Sequence, residues 1–166
     1  MKKVTKKVLA VVLLGIMVFS LTACGLDMSK VKGEWTLSTV NGKAIDEYAS
    51  QLEANGIPSF TAFINYEITD KTFKAISIDA NGNEQSASYD IKVKSNGFEC
   101  MTGDTILMSV LYDDKASTLS YKVKVGDQEL EYKLVKGKTD LQAKVQAAYA
   151  GGDEEGDEGG DYEGEE

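Results

Sequence analysis

Short segments in which apolar and polar residues alternate fill the chain from residue 61 to residue 136. Strict alternation places all apolar side chains of a segment on one face, which predicts β-strands with one buried face. Two-residue turns such as Asn81-Gly82 and Gly126-Asp127 separate these segments and predict antiparallel hairpins between neighbours. With an earlier segment at residues 34–40, the pattern predicts eight strands.

Eight half-buried strands in hairpin order favour a closed barrel, because closure removes both exposed edges of the sheet. We therefore predict an all-β fold, an eight-stranded antiparallel up-and-down β-barrel, with a sandwich of two sheets as the alternative. Residues 72–79 break the alternation, which predicts either a bulge or a strand buried on both faces. Two sets of side chains should each share a face: Trp35, Leu37 and Thr39 on the first strand, and Ile106, Met108, Val110 and Tyr112 on a later one.

Two short helices are predicted around these strands. Apolar residues with helical spacing from Ile45 to Leu52 predict an amphipathic helix at residues 45–55, directly after the first strand. Near the end of the barrel segment, Thr139 and Gln142 form a capping-box pattern at the start of an apolar helical face. That pattern predicts a short C-terminal helix that packs outside the barrel.

The pair Gly33-x-Trp35 at the start of the first strand resembles the signature of the lipocalin and fatty-acid-binding-protein group, and with the predicted strands the resemblance covers about residues 31–136. It implies that Gly33 lets the chain turn into the strand and that Trp35 plugs the closed end of the barrel. Many lipocalins pack an arginine of the last strand over this tryptophan; since this chain has none, Lys133 or Lys136 would take its place. The early helix resembles the lid of fatty-acid-binding proteins, with a purely packing helix as the alternative.

The first 23 residues have the order of charges and apolar residues of an export signal, with Lys2, Lys3, Lys6 and Lys7 before an apolar run at residues 8–20. Leu21, Thr22, Ala23 and Cys24 follow and resemble a bacterial lipobox. The resemblance implies a signal peptide at residues 1–23, cut before Cys24, whose sulfur carries a diacylglycerol. An ordinary secretory signal is the alternative. Since several acyl chains anchor a protein stably, we expect a lipid-anchored protein on the extracytoplasmic face of the cell membrane, joined to it by a short linker at residues 24–30.

The composition excludes several kinds of chemistry. The chain has no histidine, all its basic residues are lysine, and its formal net charge is −9. Histidine-based acid–base catalysis, the usual zinc ligands and arginine clamps for phosphate are therefore missing, and nucleic acid is a poor partner. Cys100 would be the only cysteine besides Cys24 after cleavage, and without a histidine we expect it to be a buried, inert thiol. We therefore predict a non-enzymatic monomer without catalytic residues, metal or cofactor.

Five tyrosines occur at apolar positions of the predicted strands: Tyr66, Tyr89, Tyr112, Tyr121 and Tyr132. If these side chains point inward, several hydroxyl groups share one interior and need hydrogen-bond partners there. One interpretation is a cavity for a small apolar ligand with a few polar groups. The alternative is a filled core in which the hydroxyls bond one another or water.

The last segment, residues 151–166, holds nine carboxylates and no basic residue, with glycine making up most of the rest. Such a composition buries too little apolar surface to order a chain, so we predict a disordered acidic tail and place the barrel domain at residues 31–150. The sequence as a whole indicates a membrane-anchored binding or structural module. The alternative is an adaptor of an envelope complex with a filled barrel and no ligand.

The lipobox interpretation predicts the fate of a single substitution. Cys24→Ser removes the sulfur that would be acylated, so we expect the protein to leave the membrane fraction or to remain an uncut precursor. Metabolic labelling with a radioactive fatty acid, followed by fractionation, measures both outcomes. Acyl label on the Cys24→Ser protein would contradict lipidation at this residue.

Overall fold

A computed structural model describes residues 25–150, so the signal segment, the lipobox with Cys24 and the acidic tail lie outside the described residues. The strands are β1 (Gly33–Val40), β2 (Lys43–Ala44), β3 (Asn65–Ile68), β4 (Thr72–Ile78), β5 (Glu84–Val93), β6 (Gly97–Thr102), β7 (Thr105–Asp113), β8 (Thr118–Val125) and β9 (Gln128–Lys136). The helices are α1 (Met28–Val31), α2 (Ile45–Ala54), a 3-10 helix (Ser59–Ala62) and α3 (Leu141–Ala150). Between residues 25 and 150, no helix is long and apolar enough to cross a membrane.

The strands form a closed antiparallel barrel. Each strand from β3 to β9 pairs with the next one along the chain, and β1 pairs with both β3 and β9. The two-residue β2 pairs only with the end of β1, so the barrel itself has eight strands. The prediction of an eight-stranded up-and-down barrel with a helix after β1 and a C-terminal helix is confirmed, and the sandwich alternative is wrong.

The two ends of the barrel differ. The closed end carries α1 and the turns after β3, β5 and β7, whereas the open end carries the turns after β4, β6 and β8. Residues 25–30, which we predicted as a linker, pack on the closed end, where the Leu26 amide donates to the Lys94 carbonyl over 2.8 Å. Gly97, the first residue of β6, lies very close to the backbone of β7. A Cβ atom at this position would come within 2.0 Å of the Val110 carbonyl oxygen.

Trp35 plugs the closed end, as the resemblance implied. Its side chain is 0% exposed, and Nε1 donates to the Val31 carbonyl of α1 over 2.7 Å. The chain enters β1 through Gly33, whose φ of +115° favours glycine. The ammonium group of Lys136 lies 4.7 Å from the centre of the Trp35 ring and donates to the Lys32 carbonyl. Lys136, rather than Lys133, therefore takes the place of the arginine over the ring.

An extra residue in β1 corrects one predicted face. Leu37 pairs with Leu134, but the next pair along β9 joins Thr39 to Lys133, which leaves Ser38 without a partner. Beyond this irregularity Val40 turns inward, opposite Tyr132, and is buried. The prediction that Thr39 shares the inner face with Leu37 is wrong, because one extra residue reverses the alternation.

A second irregularity lies in β7. Cys100 pairs with Met108 and Met101 pairs with Ile106, so Leu107 is the extra residue. Met108 packs against the core and Val110 is buried, whereas Ile106 is 51% exposed. The prediction that Ile106 shares the inner face of Met108 is therefore wrong, for the same reason as in β1.

Strand β4 is buried on both faces, which was one of the two predicted options. Phe73 belongs to the barrel core, while Ile78 belongs to a second cluster outside the barrel. The pairing of β4 with both neighbours has no register shift, so a bulge is not the cause. Side chains from α2, the 3-10 helix and α3 build this second cluster with Ile78: Ala49, Phe60, Ala62, Phe63, Leu141 and Val145. The burial of Phe60 and Ala62 there also explains why a 3-10 helix replaces the strand predicted from residue 61.

The cap of α3 differs from the predicted capping box. The Asp140 carboxylate accepts from the Ala143 amide over 3.1 Å, so Asp140 and not Thr139 caps the helix. Thr139 is instead held by the buried Asn65, which accepts from its amide over 2.9 Å and donates to its carbonyl over 2.8 Å. The Gln142 side chain donates to the Gly82 carbonyl. These bonds dock α3 on the barrel wall.

The position of Trp35 predicts a large loss of stability on truncation. Trp35→Ala would leave a cavity at the closed end and remove the ring under Lys136, lowering the free energy of unfolding by about 3–5 kcal/mol. Lys122→Gln on the outer face is the control and should cost less than about 0.5 kcal/mol. Urea unfolding followed by circular dichroism compares the two proteins. Equal unfolding midpoints would show that Trp35 does not close the barrel.

Candidate functional site

The half of the interior nearer the closed end is filled by aromatic rings that meet across the barrel. The Phe73 ring lies 5.2 Å from the ring of Tyr66, 5.8 Å from that of Phe98 and 6.3 Å from that of Tyr121, measured between centres. All four side chains are buried, and Leu119 and Leu134 are buried beside them. This half has the packing of a protein core rather than that of a binding cavity.

A pair of tyrosine hydroxyls lies at mid-height above these rings. The hydroxyl oxygens of Tyr66 and Tyr121 are 2.6 Å apart, and the two side chains are 2% and 8% exposed. The Tyr121 ring stacks on that of Tyr132, with centres 5.1 Å apart and planes 3° from parallel. Burial is the main cause that raises the pKa of Tyr66 well above its ordinary value and that of Tyr121 to about 12, and the nearby Tyr132 contributes to both shifts. Both hydroxyls therefore stay protonated at neutral pH.

The five tyrosines singled out in the sequence do not all meet. Tyr89 packs on the same core and lies close enough to Tyr121 to raise its pKa. Tyr112 also packs on the core, but it lines a separate cavity of about 350 Å³ at the closed end, beside Lys30 and Asp114. Tyr48 of α2 is a sixth tyrosine, outside the set singled out in the sequence, and it also packs on the core. Burial raises the pKa of Tyr132, and the nearby Tyr48 is a second, smaller cause of that rise.

The half of the interior nearer the open end has small side chains and free space. Tyr66 is paired with Ala75, which is paired with Ala87, so the three residues form one row across the inner wall. Ala87 is exposed although it lies on the inner face, because no side chain of residues 25–150 fills the interior near the open end. A cavity of about 270 Å³ opens here, lined by Ile64, Ala75, Ile76, Ser77, Gln85, Ser86 and Ala87.

The hairpins separate at the open end. β7 and β8 pair only between residues 110–113 and 118–121, although β7 begins at Thr105 and β8 continues to Val125. A second cavity of about 260 Å³ lies where the two strands part, with Tyr121 and Leu111 among its lining residues. β5 likewise has no partner on β6 before Asp90. Sequence reasoning missed these gaps because alternation indicates where strands lie but not how far neighbours stay paired.

Helix α2 covers one side of the open end. Its residues Ile45 and Tyr48 pack on both the barrel core and the outer cluster. The connection into the helix is fixed by Asn41, whose amide donates to the Glu131 carbonyl over 2.8 Å while its side chain accepts from the Glu131 amide over 2.7 Å. This packing on two clusters favours the interpretation of α2 as a purely packing helix over that of a lid.

The thiol of Cys100 does not belong to a reactive site. It is fully buried, and burial raises its pKa to about 12, so it is protonated at neutral pH. Among residues 25–150, no group of three or more acidic or cysteine residues lies close enough together to hold a metal ion. The tyrosines and the free space above them are thus the candidate site.

Comparisons with known proteins yield only distant structural likeness. No family of known sequences matches the chain, and no curated protein matches it. A solved structure described as the REP1-NXSQ fatty acid transporter is 12% identical, covers 68% of this chain and 99% of its own, and superimposes with a TM-score of 0.34. Likeness at this level carries no argument about function, and the barrel assignment rests on the strand pairing.

The buried pair Tyr66 and Tyr121 predicts a loss of stability at alkaline pH. A raised pKa means that the folded state holds its phenol protons longer than the unfolded chain, so stability is intact below pH 10 and falls as the pH rises from about 10 to about 12. Urea unfolding at stepped pH should show this fall, and Tyr66→Phe should make it shallower. Tyrosinate formation is followed by the absorbance at about 295 nm. If all tyrosines ionised in one step near pH 10, the burial of Tyr66 and Tyr121 would be contradicted.

Proposed function

We propose that this protein is a membrane-anchored, extracytoplasmic lipoprotein that binds a small, mainly apolar molecule in the open half of its barrel. The observation that carries the proposal is the contrast between the two halves of the interior. Rings fill the half nearer the closed end, whereas the half nearer the open end has a cavity of about 270 Å³ lined by Ala75 and Ala87, the two alanines of the row that begins at Tyr66. Ligand sites are concave and mostly apolar, with a few polar groups that orient the ligand.

The wall of this cavity indicates the chemistry of the ligand. Ile64, Ala75 and Ala87 offer apolar contact, and Ser77 and Gln85 are the polar lining residues toward the rim. The tyrosine pair lies outside this lining, and Tyr121 lines the second cavity, of about 260 Å³; within the pair one O–H donates to the other oxygen, which leaves one O–H to donate. A molecule with an apolar body and one oxygen acceptor would satisfy both features. The volume lies just below the usual range of about 300–1,000 Å³, which favours a modest ligand.

The membrane anchor is supported by the lipobox resemblance and by the path of the chain. Cys24 would immediately precede Gly25, and the next residue, Leu26, is bonded to Lys94 at the closed end. A lipid on Cys24 would therefore hold the closed end at the membrane, with the mouth of the cavity directed away from it. No long linker separates the two.

A second candidate function is that of an adaptor for another envelope protein. Ile106, Leu107 and Leu111 of β7 are each about half exposed, at 51%, 50% and 50%. A partner that covered these side chains would bury apolar surface without using the interior. The two candidates differ in one respect, because only the first requires the cavity.

Filling the cavity tests the proposal. Mass spectrometry of the protein purified from its native membrane in mild detergent should detect a co-purifying small molecule. Ala87→Phe places a ring inside the cavity and should reduce the bound fraction at least about tenfold, because the space is then occupied. Ser88→Phe is the matched control, since Ser88 is exposed on the same strand and pairs with Lys74 rather than facing the row of Ala75.

Two results would contradict ligand binding. One is a parent protein that carries no small molecule and binds none from an extract of its own membrane. The other is Ala87→Phe that retains as much ligand as Ser88→Phe. Either result would leave the adaptor as the better account.

A further inference from the structure

The turns at the two ends of the barrel carry opposite charge. The closed-end turns, which we define as residues 25–32, 69–71, 94–96, 114–117 and 137–138, contain six lysines and three aspartates. The lysines are Lys30, Lys32, Lys71, Lys94, Lys115 and Lys138. The three hairpin tips at the open end contain Asp79, Asp104 and Asp127 and no lysine. The connection at residues 41–44 adds only Lys43. Asp113, whose carboxylate accepts from the amides of Lys115 and Ala116, adds a fourth aspartate to the closed end. The six lysines still leave these turns with a net positive charge in a chain of net charge −9.

Among residues 25–150, local pairing cancels part of this positive charge and leaves Lys71 and Lys115 unpaired. Two aspartates are neutralised by neighbours, in the pairs Lys30–Asp114 at 2.8 Å and Lys32–Asp70 at 3.0 Å. In the part of the chain that the structure describes, Lys71 and Lys115 are exposed and have no acidic partner within 4.0 Å. Lys138 lies 3.2 Å from Glu34, and Lys94 lies 3.0 Å from Glu99, whose side chain is only 16% exposed. The exposed pairs are weak, so a stronger anionic surface could compete for Lys30, Lys32 and Lys138. Lys94, by contrast, is held by a mostly buried carboxylate.

The positive end is also the end from which the chain leaves the barrel toward Cys24. We propose that the closed-end turns seat on the anionic headgroups of a phospholipid membrane, chiefly through Lys71 and Lys115, the two lysines left unpaired within residues 25–150. This inference rests on the lipid anchor of the proposed function, which would bring these lysines to the membrane surface. Charge complementarity selects an anionic lipid surface as the occupant.

Electrostatics then sets the orientation of the barrel. Attraction to an anionic surface acts within a Debye length, about 8 Å at physiological ionic strength, and so reaches the closed-end turns first. The aspartates of the hairpin tips are repelled by the same surface. On anionic membranes the barrel stands upright, with the ligand cavity facing the aqueous side. On neutral membranes the anchor alone holds it, and the barrel is free to tilt.

Energy transfer between the open end and the lipid headgroups tests the orientation. The lipidated full-length protein, labelled with a donor dye at Asp127→Cys, is added to preformed vesicles that contain an acceptor on a headgroup. Cys100 does not compete for the dye because it is buried. One set of vesicles is pure phosphatidylcholine, and in the other roughly a third of the lipid is phosphatidylglycerol. We expect lower transfer efficiency on the anionic vesicles, and we expect high salt to remove the difference.

Matched variants locate the effect. Lys71→Gln and Lys115→Gln together should abolish the difference between the two vesicle types. Lys43→Gln and Lys124→Gln change the net charge equally but lie away from the closed end, and should preserve it. Two results would overturn the closed-end contact but not the lipid anchor. One is equal transfer efficiency on both vesicle types for the parent protein, and the other is that both variants lose the difference between vesicle types to the same extent. Failure to sediment with either vesicle type would overturn the anchor, and this inference with it.

Discussion

The contact of Trp35 with the closed end is the interaction on which the rest of the barrel depends. Trp35 lies where β1 pairs with both β3 and β9, and its ring lies between α1, which accepts its N–H, and the ammonium group of Lys136. The residues it brings together are about a hundred positions apart, so the chain must close a long loop before this contact is formed. Contacts between residues so far apart in the sequence make folding slow. The same side chain also holds α1 on the closed end and lies where β1 and β9 join to close the barrel.

Stability and binding are assigned to different halves of one barrel. Near the closed end, continuous strand pairing encloses interlocked rings, and this half supplies the packed core. Near the open end, the inner row has alanines at positions 75 and 87, and the hairpins part between β7 and β8. Regions of low local stability are where ligand access occurs in many proteins, because such regions can open without global unfolding. The rigid half therefore holds the tyrosine hydroxyls in place under a half that can admit a molecule.

Much of this architecture follows from residue alternation and turn chemistry. The alternation of apolar and polar residues in β3 and β8 correctly predicts that Tyr66 and Tyr121 face the interior. The absence of arginine correctly predicts that a lysine lies over Trp35. Single extra residues at Ser38 and Leu107 could not be predicted, because one insertion reverses the faces without altering composition. Thr139 was misread as a helix cap because its partner, Asn65, lies 74 residues away. The parting of β7 and β8 depends on tertiary register, which alternation does not specify.

Hydrogen exchange resolved by residue tests the division between the two halves most directly. Amides that bond between β1 and β9, and those of β7 and β8 within residues 110–113 and 118–121, should exchange only on global opening. Amides of residues 105–109 and 122–125 that point into the gap have no strand partner and should exchange at least roughly a hundredfold faster. Bound ligand should slow the second group and leave the first unchanged. Uniform protection along the full length of β7 and β8 would contradict an open upper half, and with it the account of where the protein binds.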